Sequence, residues 1–193
     1  MPGDRSLPDE TPDEVLVARF KEGDDDAFAT LVRRHEDRLF ALSLRMIGER
    51  AGALDAVQET FLTAFKRIDS FRGDAQFGTW LYRIAVNSCH DLIRRRKRWS
   101  RPEGTIEDAP HPGAGLDETA ALRIDVAQAL AALPPEFREA VVLHDLAGLP
   151  YEEVAAVTKV AVGTVKSRIS RGRRRLAEQL EQAGRPAASK EQP

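Results

Sequence analysis

An all-α fold in two small helical domains is predicted by three features of the chain. Apolar residues recur at spacings of three and four, with no strand-like alternation. A proline- and glycine-bearing stretch interrupts that rhythm near the middle. Further on, two helical segments sit a short turn apart, at the spacing of a helix-turn-helix.

The elements follow in order. Residues 1–12 are polar and proline-punctuated and read as a disordered tail. Residues 13–99 form the first domain. Its clearest helix covers Asp55–Ile68, where Leu54, Val57, Phe61, Phe65 and Ile68 make one apolar stripe after the break at Gly48 and Gly52. Ser70–Phe77 carries Gly73 and Asp74 and reads as a loop. A helix over Thr79–Arg98 follows. Residues 100–116 are the flexible linker, since Ser100–Gly115 holds three prolines, three glycines and no apolar period. Residues 117–183 form the second domain, in which Pro134–Pro135 starts one helix and Gly148–Pro150 separates the next. Tyr151–Thr158, a turn at Lys159–Ala161, and Val162–Leu176 complete the helix-turn-helix. Residues 184–193 read as a loose tail.

Composition bounds the function. The chain has 193 residues, 42% of them hydrophobic and 31% charged, with enough material for two small cores. Its net charge of −2 hides segregation. Arg94–Arg98 and Lys159–Arg175 are basic and free of acids, while acids gather in Asp4–Asp26 and Asp117–Glu153. Local basic faces of this kind suit nucleic-acid phosphates. Cys89 is the only cysteine, so an internal disulfide and a cysteine zinc cage are excluded. No metal ligand spacing emerges from His35, His90, His111 and His144, and no metal or cofactor is expected. No apolar run reaches the roughly 20 residues that span a bilayer, and the acidic start is unlike a secretory signal, so a cytoplasmic location is expected.

Helical wheels place the candidate functional residues. On Thr79–Arg98, Leu81, Ile84, Ala85, Ser88 and Leu92 face inward. Arg83, Asn87, His90, Arg94 and Lys97 face out, with Tyr82 at the border and Cys89 at the edge of the buried face. Phe71, Phe77 and Trp80 gather around the preceding loop. Stacking a base on an aromatic ring contributes about 1–3 kcal/mol, comparable to the cost of unstacking it from a duplex. Ordinary core packing is the competing reading for Phe71 and Phe77, whereas Trp80 beside Arg83 and Asn87 is the better candidate. On the last helix, Val165, Ile169 and Leu176 pack inward. Thr164, Lys166, Ser167, Ser170, Arg171 and Arg174 offer donors and cations outward, with Ser170 and Gly172 expected to let the helix approach DNA closely. A merely solvated basic face is the bland alternative.

Two stretches, DAVQETFLTAFKRIDSFRGDAQFGTWLYRIAVNSCHDLIRRR and LPPEFREAVVLHDLAGLPYEEVAAVTKVAVGTVKSRISRGRRRL, together resemble the extracytoplasmic-function (ECF) sigma factors, the smallest members of the sigma-70 family. The resemblance covers roughly Ala27–Gln182. It implies a non-enzymatic subunit that binds core RNA polymerase and directs promoter recognition, melting and initiation. Asp55, Gln58, Glu59 and Thr60 then match the surface that docks on the β′ clamp, and the β flap is a second polymerase contact. Phe71, Phe77, Trp80, Tyr82, Arg83, Asn87 and Arg94 are assigned to the −10 element. Thr164, Lys166, Ser167, Ser170, Arg171 and Arg174 are assigned to the −35 element. The linker, with Glu103, Glu107 and Asp108, would thread through polymerase. The space between the domains is too short for the extra helical domain of housekeeping sigma factors. That favours a stress or envelope regulator restrained by an anti-sigma protein.

Two other classes are weighed. A regulator that binds only duplex operators would use residues 12–98 for dimerisation or sensing and would not bind polymerase. A nuclease would need clustered acids for metal; Asp55 and Glu59 lie one turn apart but better fit a protein-docking face. The promoter sequence, the inducing signal, the anti-sigma partner and any redox role of Cys89 are not written in the residues.

Overall fold

The computed structural model describes residues 11–99 and 126–183, with side chains described for all of these except 97–99 and 183. The linker expected at 100–116 with its three acids, the start of the second domain, Lys97, His111 and both tails lie outside the described residues. Among the described residues every regular element is helical. The first half holds α1 (Asp13–Lys21), α2 (Asp25–Ile47), α3 (Arg50–Arg67) and α4 (Phe77–Trp99). The second holds α5 (residues 126–132), α6 (Pro135–Val141), α7 (Tyr151–Thr158) and α8 (Val162–Ala183). A 3₁₀ turn over Ile68–Ser70 follows α3, and a π-helical turn over Val142–Leu146 extends α6.

In the first half, Gly48 ends α2 at a φ of 90°, a left-handed conformation open to glycine without a Cβ penalty. Glu49 then caps α3 by accepting from the Gly52 amide at 3.0 Å. The buried face of α3 differs from the large-residue stripe read from the sequence. Gly52, Ala53, Ala56, Thr60 and Ala64 are buried between α2 and α4, whereas Leu54 and Phe65 are half exposed at 49% and 51%. A helix held between two neighbours approaches both closely, and small side chains permit this. The large residues are turned to the flank, where the Phe65 ring lies 5.2 Å from Phe20 and 5.3 Å from Phe28.

On α4 the wheel reading agrees more closely. Leu81, Ile84, Ala85, Ser88 and Cys89 are buried, and Leu92 is half-buried. The first turn of α1 is tied to α2 through Asp13, whose carboxylate meets His35 Nε2 at 2.7 Å and also binds Arg34. Burial pushes the Asp13 carboxyl up, but the hydrogen bonds from His35 and Arg34 outweigh it and hold it below the usual range.

In the second half α6 and α7 pack on α8, burying Val141, Leu143, Val154, Val157, Val165 and Ile169. Lys159 takes a left-handed φ of 57° in the turn between α7 and α8. Gly172 is buried rather than open to a ligand. A Cβ there would meet Val141 Cγ2 at 2.6 Å and the Phe137 carbonyl at 3.3 Å. Its smallness therefore serves the α6–α8 crossing, not an approach to DNA.

Among the described residues, the two halves share one apolar core and three polar links. Thr79 Oγ1 donates to Glu153 Oε2 at 2.6 Å, Arg138 Nη1 donates to the Met46 carbonyl at 3.0 Å, and His90 Nε2 lies 3.6 Å from Glu139 Oε2.

Candidate nucleic-acid interface

The first surface is built on α3 and α4. Asp55, Gln58 and Glu59 are exposed on the outer face of α3, where they share a groove with Leu62 of the same helix and with Asn87 and Asp91 of α4. The acidic-amide set and part of the α4 polar face thus line one continuous trough. Thr60 does not join them. It is fully buried, and its hydroxyl donates back to the Ala56 carbonyl at 2.6 Å. One helical position separates the exposed and buried faces of α3, and the sequence reading of the stripe was one position off. The half-exposed Leu62 is the apolar member of the trough that the wheel did not single out.

The second surface begins at the loop between the 3₁₀ turn and α4. Lys21 Nζ donates to the Phe71 carbonyl at 3.0 Å, and Gly73 turns the chain at a φ of 80°. Phe71 and Phe77, expected as possible base platforms, are 7% and 1% exposed. They pack edge-on at 5.5 Å, and Trp80 lies 5.6 Å from each. Both phenylalanines therefore support Trp80 from behind and present no ring face outward; a benzyl side chain gains more by leaving water than by lining a wet loop. Trp80 and Tyr82 are half-buried, and Arg83, Asn87 and Arg94 are exposed along α4. Asn87 Nδ2 donates to the Arg83 carbonyl at 2.8 Å, and Arg94 pairs with Asp91. Burial pushes the Tyr82 phenol above its usual value, partly offset by the charge of Arg38. Arg38, exposed on α2, extends this basic surface and belongs to no periodic motif that would have marked it.

The third surface is α8. Val165 and Ile169 face the core, Leu176 is half-buried, and Thr164, Lys166, Ser170, Arg171 and Arg174 are exposed with Ser167 at the margin. Its cations are not equivalent. Arg173 is held by both carboxylate oxygens of Asp145, with Nε to Oδ2 at 3.0 Å, and Arg175 lies over the Phe137 ring at 5.1 Å. Arg171 is exposed and has no acidic neighbour within ion-pair distance among the described residues, while Arg174 reaches Glu178 only at 3.9 Å. Lys166 lies over Tyr151 at 5.4 Å. No cluster of His, Cys, Asp and Glu that would hold a metal occurs among the described residues.

Two exposed basic-polar helices, one in each half, are thus held on a wholly helical frame. The family model "Sigma-70 region 2" matches residues 31–99, and "Sigma-70, region 4" matches residues 123–176. The ECF RNA polymerase sigma-E factor of Salmonella typhimurium is 38% identical over 181 residues, covering 86% of this chain and 93% of that protein. The chain belongs to the ECF sigma factors. The RNA polymerase sigma-H factor of Pseudomonas aeruginosa is 36% identical, with 88% of this chain and 94% of that one covered. Among solved structures, CnrH in complex with the cytosolic domain of CnrY aligns with a TM-score of 0.68 at 30% identity, over 88% of this chain and 97% of that one. The sigma factor RpoE of Bartonella quintana, in complex with the anti-sigma factor NepR, gives 0.68 at 31% identity, over 82% and 98%. This sigma factor is therefore a transcription initiation factor that recognises promoters and not an enzyme. No described helix is long and apolar enough to cross a membrane.

Proposed function

We propose that this factor docks on core RNA polymerase through the α3–α4 trough and grips a promoter at two places. The observation that carries the reading is the placement of α4 and α8. Each buries an apolar stripe and exposes a basic-polar face, on halves that match regions 2 and 4. Asp55, Gln58 and Glu59 meet the β′ clamp, with Leu62 adding apolar contact. The helix-turn-helix half extends to the β flap. Trp80, braced by Phe71 and Phe77, stacks an extruded −10 base while Tyr82, Arg83, Asn87 and Arg94 hold the strand. Thr164, Lys166, Ser167, Ser170, Arg171 and Arg174 contact the −35 element in the major groove. The working units run over residues 13–99 and 117–183, joined by residues 100–116. Opening of DNA draws on the binding energy of flipped bases, so no nucleotide is hydrolysed. The matched RpoE structure holds a sigma factor together with an anti-sigma factor. That supports restraint of this factor by an anti-sigma protein in the cytoplasm and release of it under stress.

The test is transcription in vitro with sigma-free core polymerase and a library of genomic fragments. The chain should confer defined start sites, and Gln58→Ala with Glu59→Ala should weaken capture of core polymerase. Trp80→Ala should leave capture intact yet abolish permanganate reactivity of −10 thymines. Failure to direct any start site would overturn the reading and leave a duplex-only regulator.

A further inference from the structure

We propose that Tyr151 is a positioning residue for Lys166, and that the π turn before the helix-turn-helix sorts the cations of α8 into those free for DNA and those withheld from it. This rests on the assignment of α8 to the promoter. The π turn carries His144 and Asp145, and its widened ring is closed by Ala147 N to Val142 O at 3.0 Å, with Leu149 N reaching Leu143 O at 3.1 Å. A π turn adds one residue per loop of helix and re-aims the side chains it carries. Here both come to lie beside the recognition elements. Asp145 takes Arg173. His144 donates Nδ1–H to the Leu149 carbonyl at 2.8 Å, which fixes its ring, and that ring stacks on Tyr151 at 4.4 Å and 25°. The Lys166 ammonium lies over Tyr151 at 5.4 Å.

The two partners act differently on their cations. A carboxylate pairs with Arg173 and neutralises it, so that cation is committed within the protein. An aromatic ring attracts an ammonium through its quadrupole without cancelling the charge. Lys166 is thus held in place yet keeps its full charge and its donors for a phosphate or a guanine edge. A lysine on a flexible stem otherwise loses its rotamer freedom only when DNA binds, and prior placement lowers that loss. The His144–Tyr151 stack supplies a fixed platform, because both rings are half-buried and the histidine is tied to the backbone.

The experiment is a double-mutant cycle on the reconstituted holoenzyme, measuring binding to a promoter fragment with an intact or scrambled upstream element. Lys166→Ala should weaken binding about tenfold on the intact element, within the range of a lost base or phosphate contact. Tyr151→Leu should weaken it about two- to fivefold, the range of an exposed cation–π contact. Tyr151→Phe, which keeps the ring, should bind like the parent. The double variant Tyr151→Leu/Lys166→Ala should match Lys166→Ala alone. If Lys166→Ala weakens binding but the double variant shows the product of both losses, the positioning role is overturned while the assignment of α8 stands. If Lys166→Ala binds normally, the role given to Lys166 in α8 falls and the inference with it. Should Tyr151→Leu loosen α7, the phenylalanine variant decides, since loss of binding there overturns positioning by the ring.

Discussion

Cys89 is fully buried, and burial pushes its thiol up to about 11, with the negative charge of Glu139 adding to the rise. Only the thiolate reacts readily, so the folded factor should resist iodoacetamide at pH 8 and become alkylated only after unfolding. Alkylation of the native protein at the rate of a free thiol would show that the site opens. The same shift has a stability consequence. A group with a raised folded pKa holds its proton more tightly when folded, so its contribution is complete below 9.0 and declines as pH climbs toward 11. Asp13 works in the opposite direction. Its lowered pKa gives stability that is present above the ordinary 3.8 and is lost as pH falls through the depressed value. Asp13→Asn should therefore lower stability by about 1 kcal/mol at neutral pH, allowing for solvent screening. Thermal melts of parent and variant should converge as pH drops below the carboxylate range. A gap that persists after the folded carboxylate has been fully protonated would locate the effect outside this ion pair.

At the level of the element, Gly172 offers the clearest test. Alanine favours helix by about 1 kcal/mol over glycine, yet its Cβ would press on Val141 and the Phe137 carbonyl. Overpacking of a core contact costs roughly 1–3 kcal/mol, so Gly172→Ala should destabilise the second half on balance. A denaturant midpoint at or above the parent's would mean that α6 yields easily. The same position shows what can be read from sequence. The period of α8 was legible because Val165, Ile169 and Leu176 are its only large apolar residues between 162 and 176, apart from the first-turn Val162. On α3, two stripes compete one position apart: large Leu54, Val57, Phe61 and Phe65 against small Ala53, Ala56, Thr60 and Ala64. Periodicity alone favours the larger set. Contact with both α2 and α4 selects the smaller one, and that is tertiary information. Phe71 and Phe77 were ambiguous for a related reason, since a ring that can stack a base can equally fill a core. The Tyr151–His144 platform escaped notice because a π turn leaves no periodic trace in the residues.

At the scale of the molecule, the two halves are docked more closely than the proposed promoter contacts would place them. The −10 and −35 positions differ by roughly 25 base pairs, or ~85 Å of duplex at 3.4 Å per step. Here Thr79, beside Trp80 on α4, is hydrogen-bonded at 2.6 Å to Glu153 on the first helix of the helix-turn-helix. Tyr82 lines a cleft together with Ala147–Pro150 of the other half. On the proposed assignment of α4 to the −10 element and α8 to the −35 element, the docked arrangement is a closed state, and engaging both elements requires the halves to part. The Glu153 contact and the Arg138–Met46 link are the two shorter of the three polar contacts to break, beside the His90–Glu139 approach, and each of the two contributes about 1 kcal/mol net. Glu153→Ala combined with Arg138→Ala should therefore shift the population toward separated halves by a factor of about 10–30. Probes on cysteines introduced at exposed Glu36 on α2 and Glu178 on α8 can follow the distance, because the native Cys89 is buried. The parent should show a short distance that lengthens when core polymerase is added, and the double variant should show the long one before it. An identical short distance in both, with melting curves unchanged, would place the closing energy in the shared apolar core and not in these two bonds.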